Sequence, residues 1–222
     1  MTAGFDALIF DLDGVIINTE ELHARLKGII MQQYGISYPE TIFSDFKGRP
    51  DLVFWQYVAH HLAYDRYTAF ELDAAKRKVF FSLANEIQLV PGVLEFIAEA
   101  KKKFRHMAMV SSATEPDLMV SDRKFGIVKW FDVIQLGEDT EQHKPHPEPY
   151  LKALMKLNIP AKKAIVIEDA PNGIISAKAA GCYVIGITTS FKESELKDAG
   201  ADMIAGNFDE VSNLIEKLHP VK

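Results

Sequence analysis

The chain has 222 residues, 48% of them hydrophobic, which is enough for one large domain or for a domain with an inserted subdomain. Its net charge of -6, from 25 basic and 31 acidic residues, argues against proteins that bind nucleic acid or anionic membranes, because these usually present a basic face. The single cysteine, Cys182, excludes an internal disulfide and fits a reducing compartment.

Targeting signals are not evident in the sequence. No apolar run approaches the ~18 residues that a membrane span needs. The first predicted strand begins within a few residues of Met1, which leaves no room for a signal peptide. We therefore expect a cytoplasmic protein with no membrane or nucleic-acid partner, and a monomer is the default expectation.

Short apolar runs alternate with helical patterns along most of the chain. The first run covers residues 5–10, and a helical stretch follows from about 19 to 34. After Pro91, helical patterns separate further apolar runs of strand length at 107–110, 131–134, 164–167 and 183–187. Strands that alternate with helices in this way predict an α/β fold with a doubly wound parallel sheet.

The region from about residue 20 to 86 interrupts this alternation. It contains helical patterns and no convincing buried strand. We therefore predict a helical cap domain at 19–86, inserted into a core domain made of 1–18 and 87–222.

Polar residues follow several of the predicted strands. Because parallel strands end at one edge of a sheet, where ligands bind in open α/β folds, these residues are expected to converge. They are Asp11 and Asp13 after the first run, Ser111 and Ser112 after the second, Lys144 in a later loop, and Glu168 and Asp169 after the fourth.

Carboxylates, a hydroxyl and a lysine at one edge suit phosphoryl transfer, because that reaction spreads negative charge over three oxygens. Mg²⁺ prefers the carboxylate oxygens that this set supplies. Taken singly, the serine pair also fits a helix N-cap, Lys144 a surface loop, and the Glu168–Asp169 pair the start of a helix. An EF-hand at Asp11 is excluded, since its glycine would have to be the sixth loop residue and a helix would precede it.

The chain resembles the haloacid dehalogenase (HAD) superfamily of aspartyl-phosphate phosphotransferases. The most similar branch has a helical cap after the first strand and includes β-phosphoglucomutase and many sugar-phosphate phosphatases. The resemblance covers essentially the whole chain and lies in four motifs: Phe10-Asp11-Leu12-Asp13-Gly14-Val15, Val110-Ser111-Ser112, Lys144-Pro145-His146-Pro147, and Ile167-Glu168-Asp169-Ala170 with Gly173 and 177–181.

The resemblance implies catalytic roles for four residues. Asp11 would be the nucleophile that forms an aspartyl-phosphate, and Asp13 the general acid and base. Ser111 and Lys144 would hold the transferring phosphoryl group, with Ser112 as a further substrate contact. Since members that displace halide or cleave phosphonates usually lack the second aspartate, Asp13 indicates phosphate-ester chemistry.

The resemblance also implies a Mg²⁺ site. Asp11 and Asp169 would bind the ion directly, together with the main-chain carbonyl of Asp13. Glu168 would be either a ligand or a partner of the ligands.

In the cap, the resemblance implies several substrate contacts. His23 and Lys78 match cap residues that face the substrate, although each also fits a solvated helix surface. Gly48 belongs to a Lys-Gly pair of the branch, and Arg49 follows it. Thr19 lies where the chain enters the cap, at a position suited to a hinge.

Three functions are open at this stage. A phosphatase for a small phosphate ester, such as a sugar phosphate, is favoured over a β-phosphoglucomutase-type mutase, because the residues with which the mutase grips a second phosphate are replaced by Asp51, Ala113, Thr114 and Glu115. The third is a binding protein on an inactive scaffold of the family. It is disfavoured because every catalytic position carries the expected residue.

Overall fold

The computed structural model describes residues 4–47 and 51–218, and the chain folds into two compact units. One unit comprises Met1–Asn18 and Gln88–Lys222, and the other comprises Thr19–Ile87. The first unit is an α/β domain and the second is helical.

A parallel six-stranded sheet forms the centre of the α/β unit, with the strand order β5-β4-β1-β6-β7-β8. A two-residue antiparallel pair, β2 with β3, lies outside that sheet. The strands are β1 (Ala7–Phe10), β2 (Ile17–Asn18), β3 (Gln88–Leu89), β4 (His106–Val110), β5 (Val133–Gln135), β6 (Ala164–Glu168), β7 (Tyr183–Ile187) and β8 (Met203–Ala205).

The middle strands are apolar at nearly every position because helices cover both faces of such a sheet. All four residues of β1 are fully buried, and β1 pairs with β4 on one side and β6 on the other. In this register Phe10 lies opposite Met109 and Ile167. The residues that follow these three strands therefore begin at the same level of the sheet.

The helices of this unit follow the strands and pack on the sheet. One buried cluster joins Ile9 and Val166 of the sheet to Tyr150, Leu154 and Ile174. The helices are α5 (Val93–Lys103), α6 (Glu115–Phe125), α7 (Glu148–Leu157), α8 (Pro171–Ala179), α9 (Glu193–Asp198) and α10 (Phe208–Leu218).

The helical unit has a core of its own, in which Phe54, Trp55 and Leu72 are completely buried. Its last long helix begins at a capping box, in which Thr68 and Glu71 satisfy each other's backbone N–H groups. The helices are α1 (Glu20–Gln33), α2 (Ile42–Asp45), α3 (Asp51–Tyr57) and α4 (Ala69–Ser82), with a π-helical turn at Val58–Leu62.

The predicted α/β class and doubly wound parallel sheet are confirmed, and the five predicted strands correspond to β1, β4, β5, β6 and β7. β8 and the β2–β3 pair were not predicted, because two or three residues are too few to show a period. Within residues 4–47 and 51–218, no helix has the length and apolar character of a membrane span.

Candidate active site

The site lies at the carboxyl ends of three adjacent strands. Asp11 directly follows β1, Ser111 directly follows β4, and Glu168 is the last residue of β6. The backbone continues the sheet for one more step, since the Asp11 N–H donates to the Ile167 carbonyl and the Ser111 N–H donates to the Gln135 carbonyl. The strand ends therefore place these three residues at one edge of the sheet.

Lys144 connects the three strand ends. Its ammonium group donates to Oδ1 of Asp11 at 2.6 Å, to Oε1 of Glu168 at 2.6 Å and to the Val110 carbonyl at 3.0 Å. The side chain is only 9% exposed. All three donors of the ammonium group are used, and the pKa of Lys144 is raised because the Asp11 and Glu168 charges outweigh the effect of burial. Lys144 is therefore a fixed cation rather than a surface-loop lysine.

Glu168 is surrounded by donors. Its Oε1 accepts from Lys144 and from the Tyr150 hydroxyl at 2.7 Å, and its Oε2 accepts from the backbone N–H groups of Asp169 and Ala170. Gly173 leaves the room for this carboxylate, because a Cβ there would lie 1.8 Å from Oε1. Burial and the neighbouring carboxylates raise the pKa of the Tyr150 hydroxyl, which therefore stays a donor.

Asp11, Glu168 and Asp169 form a buried acidic cluster. Each offers a carboxylate oxygen, and these oxygens all lie within 4.8 Å of one another. Burial raises the pKa of Asp11 to about 7, and it raises the pKa of Asp169 well above its usual range. The neighbouring carboxylates add to both shifts. The raised pKa values show that the three carboxylates resist ionising side by side, and a hard divalent cation such as Mg²⁺ would stabilise their ionised forms, so the cluster fits such an ion.

The loop that carries Asp13 is fixed by its backbone. The Gly14 N–H donates to the Ile17 carbonyl at 2.7 Å, which holds the peptide group between Asp13 and Gly14. Gly14 has a φ of +77°, and a Cβ on it would lie 1.8 Å from Oδ2 of Asp169. Only glycine fits here, because a side chain would both strain the backbone and displace Asp169.

A family model matches most of the chain. Residues 8–187 match the model described as haloacid dehalogenase-like hydrolase, and this range contains every motif residue of the site. The chain belongs to the haloacid dehalogenase-like hydrolase family. The family and the hydrolase class predicted from the sequence are therefore confirmed.

Individual haloacid dehalogenase relatives cover the chain almost completely. "Phosphorylated carbohydrates phosphatase" of Thermotoga maritima is 29% identical over 96% of this chain and 99% of its own length. "Protein SUPPRESSOR OF QUENCHING 1, chloroplastic" of Arabidopsis thaliana is 31% identical over 93% of this chain, which spans 20% of that longer protein. A crystal structure of CbbY from Rhodobacter sphaeroides with xylulose-(1,5)bisphosphate matches with a TM-score of 0.83 and 28% identity, and covers 93% of this chain and 96% of that one.

Ser111 and Ser112 differ in exposure. Ser111 is 3% exposed, and its hydroxyl oxygen accepts from the Ala113 N–H at 3.0 Å, whereas Ser112 is exposed. The serine pair could also have been a helix N-cap, but the N-cap of α6 is Thr114, which forms a capping box with Asp117. The serines are therefore not needed to cap that helix.

The predicted cap residues that the structure describes lie on or beside α1 and on α4. Thr19 is fully buried before α1, His23 is half-buried on α1 with its ring stacked on Phe80, and Lys78 is exposed on α4. Gly48 and Arg49 lie outside the described residues. The His23 N–H donates to the Thr19 carbonyl at 2.8 Å, so these two residues lie one helical turn apart, and the substrate contacts of the cap stay a prediction.

A cluster of ions in the same unit was not predicted. Asp51 binds Lys76 at 2.5 Å and Lys27 at 2.9 Å, and the two lysines lower the pKa of this half-buried carboxyl far below its usual range, although its partial desolvation acts in the opposite direction. Lys76 is buried on the α4 stripe that also contains Leu72 and Phe80. A lysine at helical spacing within an apolar stripe was the signal that could have revealed it.

Two residues of the α/β unit were also missed. Tyr150 donates to Glu168, and Ser190 donates to the Asp169 carboxylate. Tyr150 belongs to the apolar face of α7, which gives no sign of a polar contact. Ser190 ends a run of three hydroxyl residues that directly follows β7, and a polar run at a strand end is a usable signal.

Proposed function

We propose that this protein is a Mg²⁺-dependent phosphatase that hydrolyses a small phosphorylated metabolite, of the sugar-phosphate class, through a phosphoaspartate at Asp11. The proposal rests above all on Lys144, whose ammonium group holds Asp11 at 2.6 Å within a buried acidic cluster. A lysine that touches the nucleophile is positioned to stabilise the charge of a phosphoryl group transferred to it.

The first half of the reaction forms the covalent intermediate. A carboxylate oxygen of Asp11 attacks phosphorus in line, and the bond between phosphorus and the ester oxygen breaks. Asp13, protonated in the substrate complex, gives its proton to the departing alcohol. Lys144 and Ser111 hold the phosphoryl oxygens during the transfer.

The second half releases phosphate. Asp13, now ionised, takes a proton from a water molecule, and the resulting hydroxide oxygen bonds to phosphorus. The bond between phosphorus and the Asp11 oxygen breaks, which regenerates the Asp11 carboxylate. The two aspartates thus end in their starting protonation states.

The metal would be held by Asp11, Asp169 and the main-chain carbonyl of Asp13. When bound, Mg²⁺ neutralises charge on the phosphoryl oxygens and on the cluster. Glu168 accepts four hydrogen bonds from other groups, so we assign it the task of orienting Lys144 rather than that of a ligand.

The substrate class is inferred from the relatives. One is named a phosphatase of phosphorylated carbohydrates, and the CbbY structure contains a sugar bisphosphate. Thr19, His23, Arg49 and Lys78 remain proposals for contacts with the sugar portion, together with Gly48 and Ser112.

A mutase is not favoured. Thr114, at one of the positions where the mutase pattern has a phosphate contact, donates its hydroxyl to Asp117 at 2.6 Å and caps α6. Asp51, at another, is an ionised carboxylate between two lysines. Neither group is arranged to bind a second phosphate, and the Asp51 charge would repel one.

The decisive experiment is Asp11→Asn, which keeps the shape of the side chain and removes its nucleophilic oxygen. We expect phosphate release from p-nitrophenyl phosphate to fall to background in Mg²⁺, and the wild type to lose activity in EDTA. Asp6→Asn, in the segment before β1, is the matched control and should retain wild-type activity. Full activity of Asp11→Asn would reject the assigned nucleophile.

A panel of phosphorylated carbohydrates then defines the substrate. We expect one or a few sugar monophosphates or bisphosphates to be hydrolysed with kcat/KM well above that of the aryl phosphate. Interconversion of β-glucose 1-phosphate and glucose 6-phosphate without phosphate release would favour the mutase instead. No turnover of any ester, in the presence of Mg²⁺, would favour the inactive scaffold.

A further inference from the structure

The turn after β7 touches the site at two points. It consists of Thr188, Thr189 and Ser190, and we call it the hydroxyl turn. The Thr189 hydroxyl donates to the Gly14 carbonyl at 2.5 Å, and the Ser190 hydroxyl donates to the Asp169 carboxylate. One short segment is thus bonded both to the loop that carries Asp13 and to a carboxylate of the acidic cluster.

The contacts are tight because Gly14 has no side chain. The position that a Cβ of Gly14 would occupy lies 1.8 Å from Oδ2 of Asp169 and 2.6 Å from Oγ of Ser190. The carboxylate, the serine hydroxyl and the glycine backbone therefore pack directly against one another. A shift of any one of them moves the others.

The turn itself is anchored away from the site. The Thr188 N–H donates to the Ala205 carbonyl of β8 at 3.0 Å, which continues the sheet past the end of β7. The Thr188 hydroxyl adds a longer contact to the same carbonyl, at 3.5 Å. The backbone that carries the Thr189 and Ser190 hydroxyls is consequently held in place by β8.

We propose that Ser190 is a positioning residue for the metal site and sets the orientation of Asp169, while Thr189 fixes the Gly14–Val15 peptide of the loop that carries Asp13. The inference rests on the proposed function, since it concerns the same Mg²⁺. A carboxylate free to rotate would present its oxygen to the ion only part of the time. A hydroxyl that occupies one lone pair selects one rotamer before the ion binds.

The same arrangement explains the choice of residue type. A hydroxyl group donates to a carboxylate without adding charge, so it orients Asp169 and leaves the negative charge of the cluster available to the cation. Lysine or arginine at this place would orient the carboxylate equally well and would compete with the metal. Serine is also short enough to fit beside Gly14.

The test measures Mg²⁺ affinity directly, by calorimetric titration of the metal-free protein in the absence of substrate. We expect Ser190→Ala to weaken binding about tenfold, the low end of the range for partners that orient metal ligands. Ser190→Thr, which keeps the hydroxyl, should restore the affinity. Thr188→Val is the matched control in the same turn and should bind Mg²⁺ as the wild type does, because its anchoring N–H remains.

The outcomes separate this inference from the proposed function. If the wild type binds Mg²⁺ and Ser190→Ala binds it within twofold, the positioning role is rejected while the phosphatase stands. If the wild type itself binds no Mg²⁺, the metal part of the proposed function fails first. Melting of each variant in EDTA shows whether it is folded. Should Ser190→Ala not fold, Ser190→Cys replaces it, because a thiol is a weaker hydrogen-bond donor than a hydroxyl. If Ser190→Cys binds Mg²⁺ as tightly as the wild type does, the proposal is rejected.

Discussion

Lys144 Nζ and Asp11 Oδ1 lie 2.6 Å apart, although the two residues are separated by 133 positions in the sequence. Neither is free to turn away, since the ammonium group has two further acceptors and the carboxylate is buried. The proposed nucleophile and the cation that would stabilise the transferred phosphoryl group thus form one unit before substrate arrives.

Replacing that cation should lower the activity strongly. We expect Lys144→Met, which is similar in length, to lower kcat/KM for p-nitrophenyl phosphate by at least about 10²-fold, the effect typical of losing a group that stabilises transition-state charge. Lys156→Met, on the exposed side of α7, should leave it unchanged. Activity within a few-fold of wild type in Lys144→Met would contradict the role given to this lysine.

The raised pKa of Asp11 predicts a pH-dependent stability in EDTA. The folded protein holds this proton up to about pH 7, whereas the unfolded chain loses it near pH 4. Between these values the folded state binds more protons, so the contribution of Asp11 is fully present at low pH and is lost as the pH rises through about 7.

The measurement compares wild type and Asp11→Asn by thermal unfolding from pH 5 to 8. The wild type should lose stability relative to the variant as the pH rises, because asparagine does not titrate. Parallel curves for the two proteins would show that Asp11 has an ordinary pKa. Adding Mg²⁺ to the wild type should reduce the difference, since a bound cation offsets the carboxylate charge.

Tyr150→Phe removes a single buried hydroxyl that donates to Glu168. We expect the free energy of unfolding in EDTA to fall by about 1–2 kcal/mol, because a buried carboxylate loses one donor. Activity should also fall, since Glu168 orients Lys144. Tyr183→Phe is the control, a half-buried tyrosine on the same sheet, and should change both quantities little. An unchanged unfolding curve for Tyr150→Phe would show that the bond is not stabilising.

In the helical unit, Asp51→Ala should destabilise the protein by about 2 kcal/mol. The substitution leaves Lys76, whose side chain is 8% exposed, without its partner at 2.5 Å. This is less than for a fully buried pair, because Asp51 retains some exposure. Glu86→Ala breaks the exposed pair with Arg25 and should cost little. Equal effects of the two substitutions in urea unfolding would refute the importance of the Asp51 cluster.

The sequence predicted the parts of the site that depend on strand ends. Asp11, Ser111 and Glu168 follow apolar runs that had to be buried strands, and parallel strands necessarily end together. Ser190 was within reach of the same reasoning, since its hydroxyl run follows β7, but its partner Asp169 depends on which strands are neighbours. Tyr150 could not be assigned in this way, because its contact depends on the rotation of α7, which the local pattern of the chain does not show.

In the helical unit, the sequence indicates which lysine is buried but not its partner. Both Lys76 and Lys78 occur in one basic run, and only the phase of α4 distinguishes them. Leu72, Lys76 and Phe80 repeat at a spacing of four, which is the buried stripe of that helix. The spacing could therefore have shown that Lys76, rather than Lys78, is the buried lysine. It could not have shown that Lys76 pairs with Asp51.

The central place of β1 in the sheet has a consequence for how the protein is made. Ala7 lies opposite His106 and Ala164, so the strand that precedes Asp11 finds its two neighbours only about 100 and about 160 residues later in synthesis. Such distant pairings form late, because a long loop must close before they contribute. The site around Asp11 thus assembles only when most of the polypeptide has folded, and in a partly synthesised chain this aspartate stands without the lysine and the acidic neighbours that surround it in the complete fold.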